Sequence, residues 1–511
     1  MAKRSDLEPW EVSLIKALLD LGTLNKQEIL AFFTRPGRDI NHRAIPEVQN
    51  AGEFAGIAPA TMSETDVFLN VSRAVSDLEF ASLRTLMARI QGQGRFSFEY
   101  RFFPVGQGLF SSGSIQRENG EPFRWVYDCG TSEDPRIVNR QIAALRARWS
   151  PSRRKSKLDM LVISHFDKDH ISGLRTLMTH FSVGMIVLPY IPPWDRLVIA
   201  LCEDAEAGTD LFAFIMNPAG FISTLPGGED VQIILVAAGD GPARPPAEPD
   251  ETSPKTWDGP LKIRIDGARD RDDQSSEGDR DLENPRVTIL EAGGSLTIPG
   301  LWEFVPYNDP GKLNLATPSF RAAAAPLAES LRSANNPAAA EFALERLKAV
   351  YEATFGSESK DKNQISLLLY SGPIGGVSLH SSEQTNFRGR FTEWPTGALG
   401  RAGSNDRFGL MLTGDAYLKT KSSLQAMISF FSSHSRLSRG ACFQVMHHGS
   451  RWNWQVGLAR KINPIASIFS SNPNAHYYHP HSEVLNDFSP FGPRQVDYRT
   501  GWGVRGVFSY L

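Results

Sequence analysis

The sequence predicts a mixed fold, α/β or α+β, preceded by a helical region. From about Tyr100 onward, short apolar runs rich in β-branched and aromatic residues alternate with stretches whose apolar residues recur at helical spacing. Ahead of Tyr100, helical spacing prevails. The chain has 511 residues, of which 41% are hydrophobic, so it is long enough for more than one domain and has a globular composition.

The first domain, residues 1–95, is expected to consist of short helices. EPWEVSLIKALLDLG has apolar residues at helical spacing and stops at Gly22, and NKQEILAFF and DINHRAIPEVQN predict two more helices. Three short helices with tight connections resemble a helix-turn-helix unit, in which Arg38, Asn41 and Arg43 are the candidate DNA-binding residues. The alternative is a helical docking or dimerisation domain in which these side chains only cap and solvate helix ends.

The second domain, residues 96–511, carries the strand-like runs. Helical stretches such as NRQIAALRARW and SGLRTLMTHF fall between them, which gives the mixed class. The runs are YRFFPV, GLFSSGSI, FRWVYDCG, LDMLVISH, GMIVLPY, DVQIILVAA and SLTIPG, followed later by NQISLLLYSG, RFGLMLTGD, ACFQVMHHGS, IASIFSSN and GVFSYL.

Two inserts interrupt this domain. Residues 239–284 are Pro-rich and then densely charged, apart from a short strand-like LKIRI, and cannot bury enough apolar area to offset their ordering entropy. We therefore expect a mobile surface loop that proteases reach easily. Residues 318–356 predict two helices that are broken at Asn335-Asn336-Pro337.

Charge and cysteine usage limit the functional classes. A net charge of -3 supplies no global basic field, so any nucleic-acid contact must use local patches. The three cysteines lack a CxxC pair, which argues against a disulfide framework and against a cysteine metal site. No run of eighteen apolar residues and no signal peptide is seen, so we expect a cytoplasmic protein without a membrane partner.

The stretch SHFDKDH places four titratable side chains directly after an apolar strand. His165, Asp167, Asp169 and His170 lie on the strand-to-helix turn, and the carboxyl ends of strands are where active sites gather in α/β sheets. Four such donors crowd one tetrahedral centre but can be divided between two adjacent divalent cations. The alternative is a polar turn in which Asp169 caps a helix.

Further candidate ligands follow later apolar strands. FGLMLTGD ends in Asp415, FQVMHHGS in His447 and His448, and SSNPNAHYYHPHS supplies His479. Chance placement at each strand end is improbable, so these residues are candidates to complete a binuclear site. Which histidine of the adjacent pair binds metal stays open at this point.

The motifs YDCG, SHFDKDH, LTGD, HHGS and HYYHP together resemble the metallo-β-lactamase-fold hydrolases, in the branch related to the soluble domain of the competence protein ComEC. The resemblance covers roughly Tyr100 to the C-terminus, apart from the inserts. It implies an α+β fold, a four-layer αβ/βα sandwich with two metal ions at one edge of its sheets. It also implies roles for the ligands: His165 and Asp167 on one metal, Asp169 and His170 on the other, Asp415 as the bridging carboxylate, and His447 or His448 together with His479 completing the shells.

One position departs from the commoner motif of that family, His-x-His-x-Asp-His. Asp167 replaces the second histidine, and a carboxylate hardens the site, so that Mn²⁺ or Mg²⁺ suits it as well as Zn²⁺. Its negative charge also favours a phosphodiester over a lactam or thioester, because two cations can clamp the anionic transition state.

These observations predict metal-assisted hydrolysis. Asp169 and His448 are the candidate catalytic residues, with Asp169 orienting the attacking water and His448 or His447 donating to a phosphoryl oxygen. Lys419, Ser450 and Arg451, just past the strand ends, are candidates for substrate binding, although solvated surface residues are the alternative for such cations.

The expected function is a nuclease or phosphodiesterase acting on DNA. Defence against foreign DNA is one setting, with the enzyme held in check by an inhibitory partner or by the acidic insert and activated by a regulatory protease. The alternative is a hydrolase of a small or lipid-linked phosphodiester or ester, whose N-terminal domain binds a protein. A salt-sensitive DNA affinity that survives loss of the metal site favours the first function.

Overall fold

The computed structural model describes residues 7–34, 40, 43–50, 52, 54–72, 95–118, 120–150, 155–239, 260–269, 279–356, 365–374, 377–388, 392–399 and 407–510. The candidate DNA-binding residues Arg38 and Asn41 lie outside these ranges, and so does most of the insert predicted to be a mobile loop.

The N-terminal region contains a helix that the sequence analysis did not predict. Its helices are α1 (Pro9–Leu21), α2 (Lys26–Ala31), α3 (Ala44–Gln49) and α4 (Met62–Ser72). The helix α4 was missed although Thr61 and Glu64 form a capping pair at its start. Apolar faces of these helices share one core, in which Phe33 stacks on Phe68 at 5.3 Å between ring centroids. Arg43 is exposed at the start of α3.

In the rest of the described chain, seventeen strands belong to one hydrogen-bonded sheet. The strands are β1 (Arg95–Phe102), β2 (Phe110–Arg117), β3 (Phe123–Cys129), β4 (Ser156–Val162), β5 (Phe181–Pro189), β6 (Gln232–Val236), β7 (Arg264–Ala268), β8 (Val287–Ile298), β9 (Trp302–Asn308), β10 (Leu367–Pro373), β11 (Val377–Arg388), β12 (Thr392–Gly397), β13 (Gly409–Leu412), β14 (Gly440–Gln444), β15 (Ala466–Ser470), β16 (Pro493–Val496) and β17 (Gly501–Tyr510). The prediction of a mixed fold of helices and strands is confirmed.

The helices of this region lie between the strands along the chain. They are α5 (Pro135–Trp149), α6 (Lys168–Ile171), α7 (Leu174–His180), α8 (Pro193–Cys202), α9 (Asp210–Met216), α10 (Pro218–Thr224), α11 (Arg280–Glu283), α12 (Pro318–Arg332), α13 (Pro337–Phe355), α14 (Lys421–Ser432), α15 (Arg436–Arg439), α16 (Leu458–Ile462) and α17 (Ser482–Phe488). None of the helices in the described ranges is long and apolar enough to cross a membrane.

Strand pairing divides the sheet into two halves. The first half runs β12-β11-β17-β1-β2-β3-β4-β5-β6-β8, and the second runs β8-β9-β10-β13-β14-β15-β16, with β7 beside β8. Strand β8 belongs to both halves, because its first residues pair parallel with β6 and its last pair antiparallel with β9. Each half contains a run of parallel strands, from β3 to β8 and from β13 to β16.

The two halves face each other across a common core, and helices cover their outer sides. The ring centroids of Trp125 on β3 and Phe304 on β9 lie 5.0 Å apart in an edge-to-face contact. Both rings belong to a hydrophobic cluster that contains residues of both halves. Helices α5 and α7 pack on the outer face of the first half, and α14, α16 and α17 pack on that of the second. Because central strands are buried on both faces, β4 is apolar without alternation: Met160 joins the inner core and Leu161 the outer one.

The two inserts differ in how far they match expectation. The helical insert forms α12 and α13 as predicted, each beginning with a capping residue followed by proline, Thr317-Pro318 and Asn336-Pro337. These helices pack against α8.

Two described parts of the charged insert are ordered: the strand-like LKIRI overlaps a strand, as the sequence allowed, whereas order around Asp279 and Asp281 corrects the prediction of a mobile loop there. Residues 264–268 form β7 against β8. Asp279 and Asp281 are buried beside Arg196, which binds both carboxylates and so compensates for their burial. These two carboxylates are therefore not available to shield a metal cleft.

Candidate metal centre

The polar residues of SHFDKDH, LTGD and HHGS come together at one edge of the sheet. The turn at 163–170 follows β4 in the first half, whereas Asp415 follows β13 and the 3₁₀ turn Met446–Gly449 follows β14 in the second. Strand β10 links the two, because the Leu367 amide donates to the Ser164 carbonyl at 2.7 Å and β10 pairs with β13. The site is therefore built from carboxyl ends of strands in both halves, as expected for such sheets.

Two overlapping groups of potential metal ligands form there. In each group the donor atoms all lie within 4.8 Å of one another. The first group is His165, Asp167 and Asp169, and the second group is Asp169, His170, Asp415 and His448.

Asp415 belongs to the second group and also approaches His165 of the first. Its Oδ1 lies 3.3 Å from Nε2 of His170, and its Oδ2 lies 3.8 Å from Nε2 of His165. Its backbone is held by two side chains: the Asp415 amide donates to Oγ of Ser366 at 3.1 Å, and Nδ2 of Asn453 donates to the Asp415 carbonyl at 3.0 Å. The carboxylate can thus face both groups from a fixed position.

Asp128 sets which nitrogen of His170 carries the proton. Nδ1 of His170 donates to Oδ2 of Asp128 at 2.7 Å, and the Ser164 hydroxyl donates to the same oxygen at 2.6 Å. Because that hydroxyl proton is committed to Asp128, the Ser164 oxygen accepts from Nδ1 of His165 at 3.0 Å. In both rings the Nε2 lone pair is then directed into the cluster, the tautomer that metal ligation requires.

Nε2 of His448 and Oδ2 of Asp169 face each other, and both atoms carry lone pairs when the ring is neutral. Nδ1 of His448 donates to the Ser470 carbonyl at 2.6 Å, so Nε2 of the neutral ring presents a lone pair. That Nε2 lies 3.0 Å from Oδ2 of Asp169. Two lone pairs at this distance require a proton or a cation in contact with them.

Three buried side-chain atoms of the cluster have no hydrogen-bond partner within the described part of the chain: Nε2 of His165, Nε2 of His170 and Oδ1 of Asp415. An unpaired buried polar atom is costly unless something else satisfies it. All three belong to the two ligand groups and are imidazole nitrogens or carboxylate oxygens, the atoms that bind Zn²⁺ and Mn²⁺. The residues present therefore fit divalent metal ions.

The cluster holds its carboxylates charged despite their burial. Burial by itself would raise the pKa of Asp415, but the imidazoles of His447 and His170 hold that pKa well below its ordinary value. For His170, burial works to lower the pKa, and the carboxylates of Asp128 and Asp415 raise it well above its ordinary value. The electrostatic demand for positive charge at the centre is thus large.

Strained backbone accompanies the site. Asp128, His447 and His448 have φ values of 55°, 45° and 58°, a region that residues other than glycine adopt rarely and at a cost of about 1–3 kcal/mol each. At Gly414, φ is 51° and a Cβ atom would lie 2.6 Å from Cβ of Ser164, so the LTGD turn requires glycine. Strain of this kind concentrates at functional sites.

Both members of the His447-His448 pair approach Asp415, one on each side. His448 is 2% exposed and belongs to the second group. Nδ1 of His447 lies 3.4 Å from Oδ2 of Asp415, the oxygen that also faces His165. Geometry thus places His448 with the second group and His447 beside the first, a choice that the sequence left open.

His479, predicted as a ligand, lies beside the cluster and belongs to neither group. Its ring centroid is 5.9 Å from that of His447 and 6.2 Å from that of His448. As the amide is oriented, Nε2 of Gln107 donates to Nδ1 of His479 at 3.2 Å, which leaves Nε2 of His479 protonated. Burial, followed by the neighbouring imidazoles, lowers the pKa of His479 to about 3, so the ring is neutral.

The predicted substrate-binding residues have different surroundings. Lys419 is exposed, and its Nζ lies 4.5 Å from the ring centroid of Trp452. Arg451 is also exposed, but it forms a salt bridge with Glu483 in which Nη1 and Oε1 lie 2.9 Å apart. Ser450 is buried and accepts from the Trp452 amide at 3.3 Å, so it supports the loop and its hydroxyl is not at the surface.

Sequence reasoning assigned no role to the residues that orient the ligands, Asp128 and Ser164 above all. YDCG ends an apolar strand just as the ligand motifs do, and that signal was sufficient to single out Asp128. The close approach of this segment also explains its glycine, because a Cβ on Gly130 would lie 2.4 Å from the backbone of Asp169.

Comparison with known proteins adds no assignment to this geometry. No protein-family model matches the chain, and no curated protein matches it either. The chemistry of the donor atoms is therefore the basis for a functional proposal.

Proposed function

We propose that this protein is a binuclear metal-dependent hydrolase that cleaves phosphodiester bonds in DNA. The observation that carries the proposal is the pair of ligand groups that share Asp169, the second of which contains Asp415, with buried imidazole and carboxylate atoms that lack a hydrogen-bond partner among the described residues. Two adjacent divalent cations suit an in-line displacement at an anionic phosphodiester.

We also propose the metallo-β-lactamase fold for this chain, in the branch resembling the soluble domain of ComEC. Two sheet halves packed face to face between outer helices support this, and so does a ligand cluster at one edge of the sheet. The motifs YDCG, SHFDKDH, LTGD and HHGS, which carry the resemblance, all supply residues to that edge.

The proposed metal ligands follow from the two groups. The first group and His447 would hold one cation, and the second group would hold the other, with Asp415 facing both. When bound, the cations supply Lewis acidity and a water of lowered pKa. Asp167 adds a hard oxygen ligand, so Mn²⁺, Mg²⁺ and Zn²⁺ are all candidates.

The protein's own groups then divide the remaining tasks. Asp169 lies in both groups and is positioned to orient a water molecule between them. Nδ1 of His448 is committed to the Ser470 carbonyl, so Nε2 carries the lone pair of the neutral ring and suits ligation better than proton donation. We propose that His479, neutral and protonated on Nε2, donates a hydrogen bond to a phosphoryl oxygen instead.

The test is hydrolysis of linear and plasmid DNA by the purified protein with Mn²⁺, Mg²⁺ or Zn²⁺. We expect cleavage that requires metal and is lost in Asp169→Ala and Asp415→Ala, while Asp159→Ala, a nearly buried carboxylate of β4 outside both groups, retains it. Absence of DNA cleavage, together with metal-dependent turnover of a small phosphodiester, would favour the alternative of a small or lipid-linked substrate and a protein-binding N-terminal domain. No turnover of any phosphodiester would overturn the proposal.

Regulation by proteolysis and a role in defence against foreign DNA form a further part of the proposal. The charged insert is Pro-rich and densely charged in sequence, a composition that favours proteolytic cleavage, and its far end is fixed by the buried contacts of Arg196 with Asp279 and Asp281. A chain cleaved within the insert would therefore remain assembled. Limited proteolysis within residues 239–284 should raise turnover, and unchanged activity after clean cleavage there would remove this idea.

A further inference from the structure

Exposed aromatic side chains gather on the loops that carry the site histidines. Trp452, Tyr477 and Tyr478 are 63%, 58% and 72% exposed. Of the large hydrophobic side chains exposed within the described residues, the only other aromatic ring is Phe342, on α13. Large rings are normally buried, and clustered exposed rings mark ligand-binding surfaces.

The two loops that carry these rings contact each other, because the Arg451 amide donates to Nδ1 of His481 at 3.2 Å and the His481 amide donates to the Gly449 carbonyl at 3.0 Å. The Tyr477 ring stacks on that of His479, with centroids 5.9 Å apart and an interplanar angle of 25°. The ring centroid of His479 in turn lies 5.9 Å from that of His447, and Nδ1 of His447 lies 3.4 Å from Oδ2 of Asp415. Trp452 follows His448 by four residues, so its Cα is within about 14 Å of that of His448 even if the chain is extended.

A cation accompanies the indole. Nζ of Lys419 lies 4.5 Å from the Trp452 ring centroid, a cation–π contact that places positive charge next to the ring. Arg451, adjacent in sequence, is also exposed, although Glu483 pairs with it. Flat aromatic faces beside positive charge are the combination by which proteins bind unpaired nucleic-acid strands, whose bases stack while the phosphates meet cations.

We propose that Trp452, Tyr477 and Tyr478 form a stacking platform for the unpaired bases of a DNA strand beside the bond to be cleaved. The inference rests on the proposed function, because it takes the scissile phosphodiester to lie at the two ligand groups. The occupant is a single strand, since bases within a duplex are stacked on one another and cannot reach protein rings without being extruded. The enzyme then prefers unpaired ends, flaps or single strands.

The test is binding of the full-length protein to fluorescent oligonucleotides, measured by anisotropy in the presence of a chelator so that no hydrolysis occurs. Three probes of equal length are compared: a single-stranded DNA, the same strand without bases, and a duplex. We expect the base-containing strand to bind about tenfold more tightly than the other two, and Trp452→Ala or Tyr477→Ala to lose about tenfold, which corresponds to roughly 1.4 kcal/mol. An RNA strand of the same sequence reports whether the sugar contributes.

The chain supplies a matched control. Phe342 is also 63% exposed, and Cζ of Arg346 lies 5.8 Å from its ring centroid. Because Phe342 is on α13 and not on the loops that carry the site histidines, Phe342→Ala should leave binding unchanged. Trp452→Phe keeps a stacking ring and should retain most of the affinity, which separates stacking from a folding defect.

Equal affinity for the strands with and without bases, or equal effects of Trp452→Ala and Phe342→Ala, would overturn the platform. Hydrolysis assays on the wild-type protein with added metal answer a separate question. Base-dependent binding without any metal-dependent cleavage would refute the proposed function while leaving the platform intact. Metal-dependent cleavage that depends neither on the presence of bases nor on Trp452 would support the proposed function and refute the platform.

Discussion

At the scale of single residues, the site depends on which imidazole nitrogen carries a proton. Asp128 accepts hydrogen bonds from Nδ1 of His170 and from the Ser164 hydroxyl. The Ser164 oxygen in turn accepts a hydrogen bond from Nδ1 of His165. One buried carboxylate therefore directs two Nε2 lone pairs toward the centre. Such outer contacts fix ring orientation and raise ligand basicity.

Replacing Asp128 should weaken metal binding without removing a ligand. Asp128→Asn is expected to lower the affinity for Mn²⁺ or Zn²⁺ by about 10–100-fold, because the amide no longer accepts both protons as a carboxylate does. Titration calorimetry on metal-free protein measures the effect. The matched control is Asp159→Asn, since Asp159 accepts from the Arg124 amide at 2.8 Å and belongs to neither ligand group. Equal affinities in the two variants would contradict the positioning role of Asp128.

At the scale of elements, a buried ion pair joins α15 to β9. Nε and Nη2 of Arg436 each donate to a Glu303 oxygen at 2.8 Å, and both side chains are almost fully buried. Burial raises the pKa of Glu303, and the Arg436 guanidinium opposes this shift. The pair is bidentate and desolvated, so each partner depends on the other for compensation of its charge.

Removing one partner of this pair should destabilise the protein strongly. Arg436→Met is expected to lower the free energy of unfolding by about 3–5 kcal/mol, because it leaves the Glu303 carboxylate buried without a partner. Urea-induced unfolding followed by circular dichroism measures the change, and the double variant Arg436→Met with Glu303→Leu should recover most of it.

The exposed pair between Arg505 and Glu383, at 2.6 Å, serves as the control. Arg505→Met should cost under about 1 kcal/mol, because solvent screens exposed pairs. Similar losses for Arg436→Met and Arg505→Met would show that the burial of the Glu303 pair does not matter.

At the scale of the whole molecule, the centre joins the two halves of the sheet. His165, Asp167, Asp169 and His170 come from the half that contains β4, whereas Asp415 and His448 follow β13 and β14 in the other half. The second group of potential ligands draws on both halves, so an ion bound there would link them, and binding would favour the folded state over the unfolded one.

Metal ions should therefore stabilise the fold. A divalent cation at about 100 times its Kd is expected to add about 2.7 kcal/mol to the free energy of unfolding, because it binds the folded state alone. Urea unfolding with and without Mn²⁺ or Zn²⁺, after treatment with a chelator, measures this gain. Asp415→Ala should lose it, whereas a gain of the same size in that variant would place the stabilising ion elsewhere on the protein.

By itself, the sequence determined the mixed class of the fold, the helical insert and the kinds of donor atoms at the strand ends. Apolar runs and capping residues act locally, so β4, β13 and β14 were predictable, as were Thr317-Pro318 and Asn336-Pro337 as helix starts. Short or partly polar strands such as β12 and β16 give too weak a pattern and were missed.

Only the tertiary structure decided how these donors are grouped. The placement of His448 in the second group, of His447 beside Asp415, and of His479 outside both groups depends on contacts between segments far apart in the chain. The link from Asp128 to His170 and the pairing of Arg196 with Asp279 arise in the same way. Pairing of strands across β8 brings such segments together, and no local pattern of residues encodes which strand ends will meet.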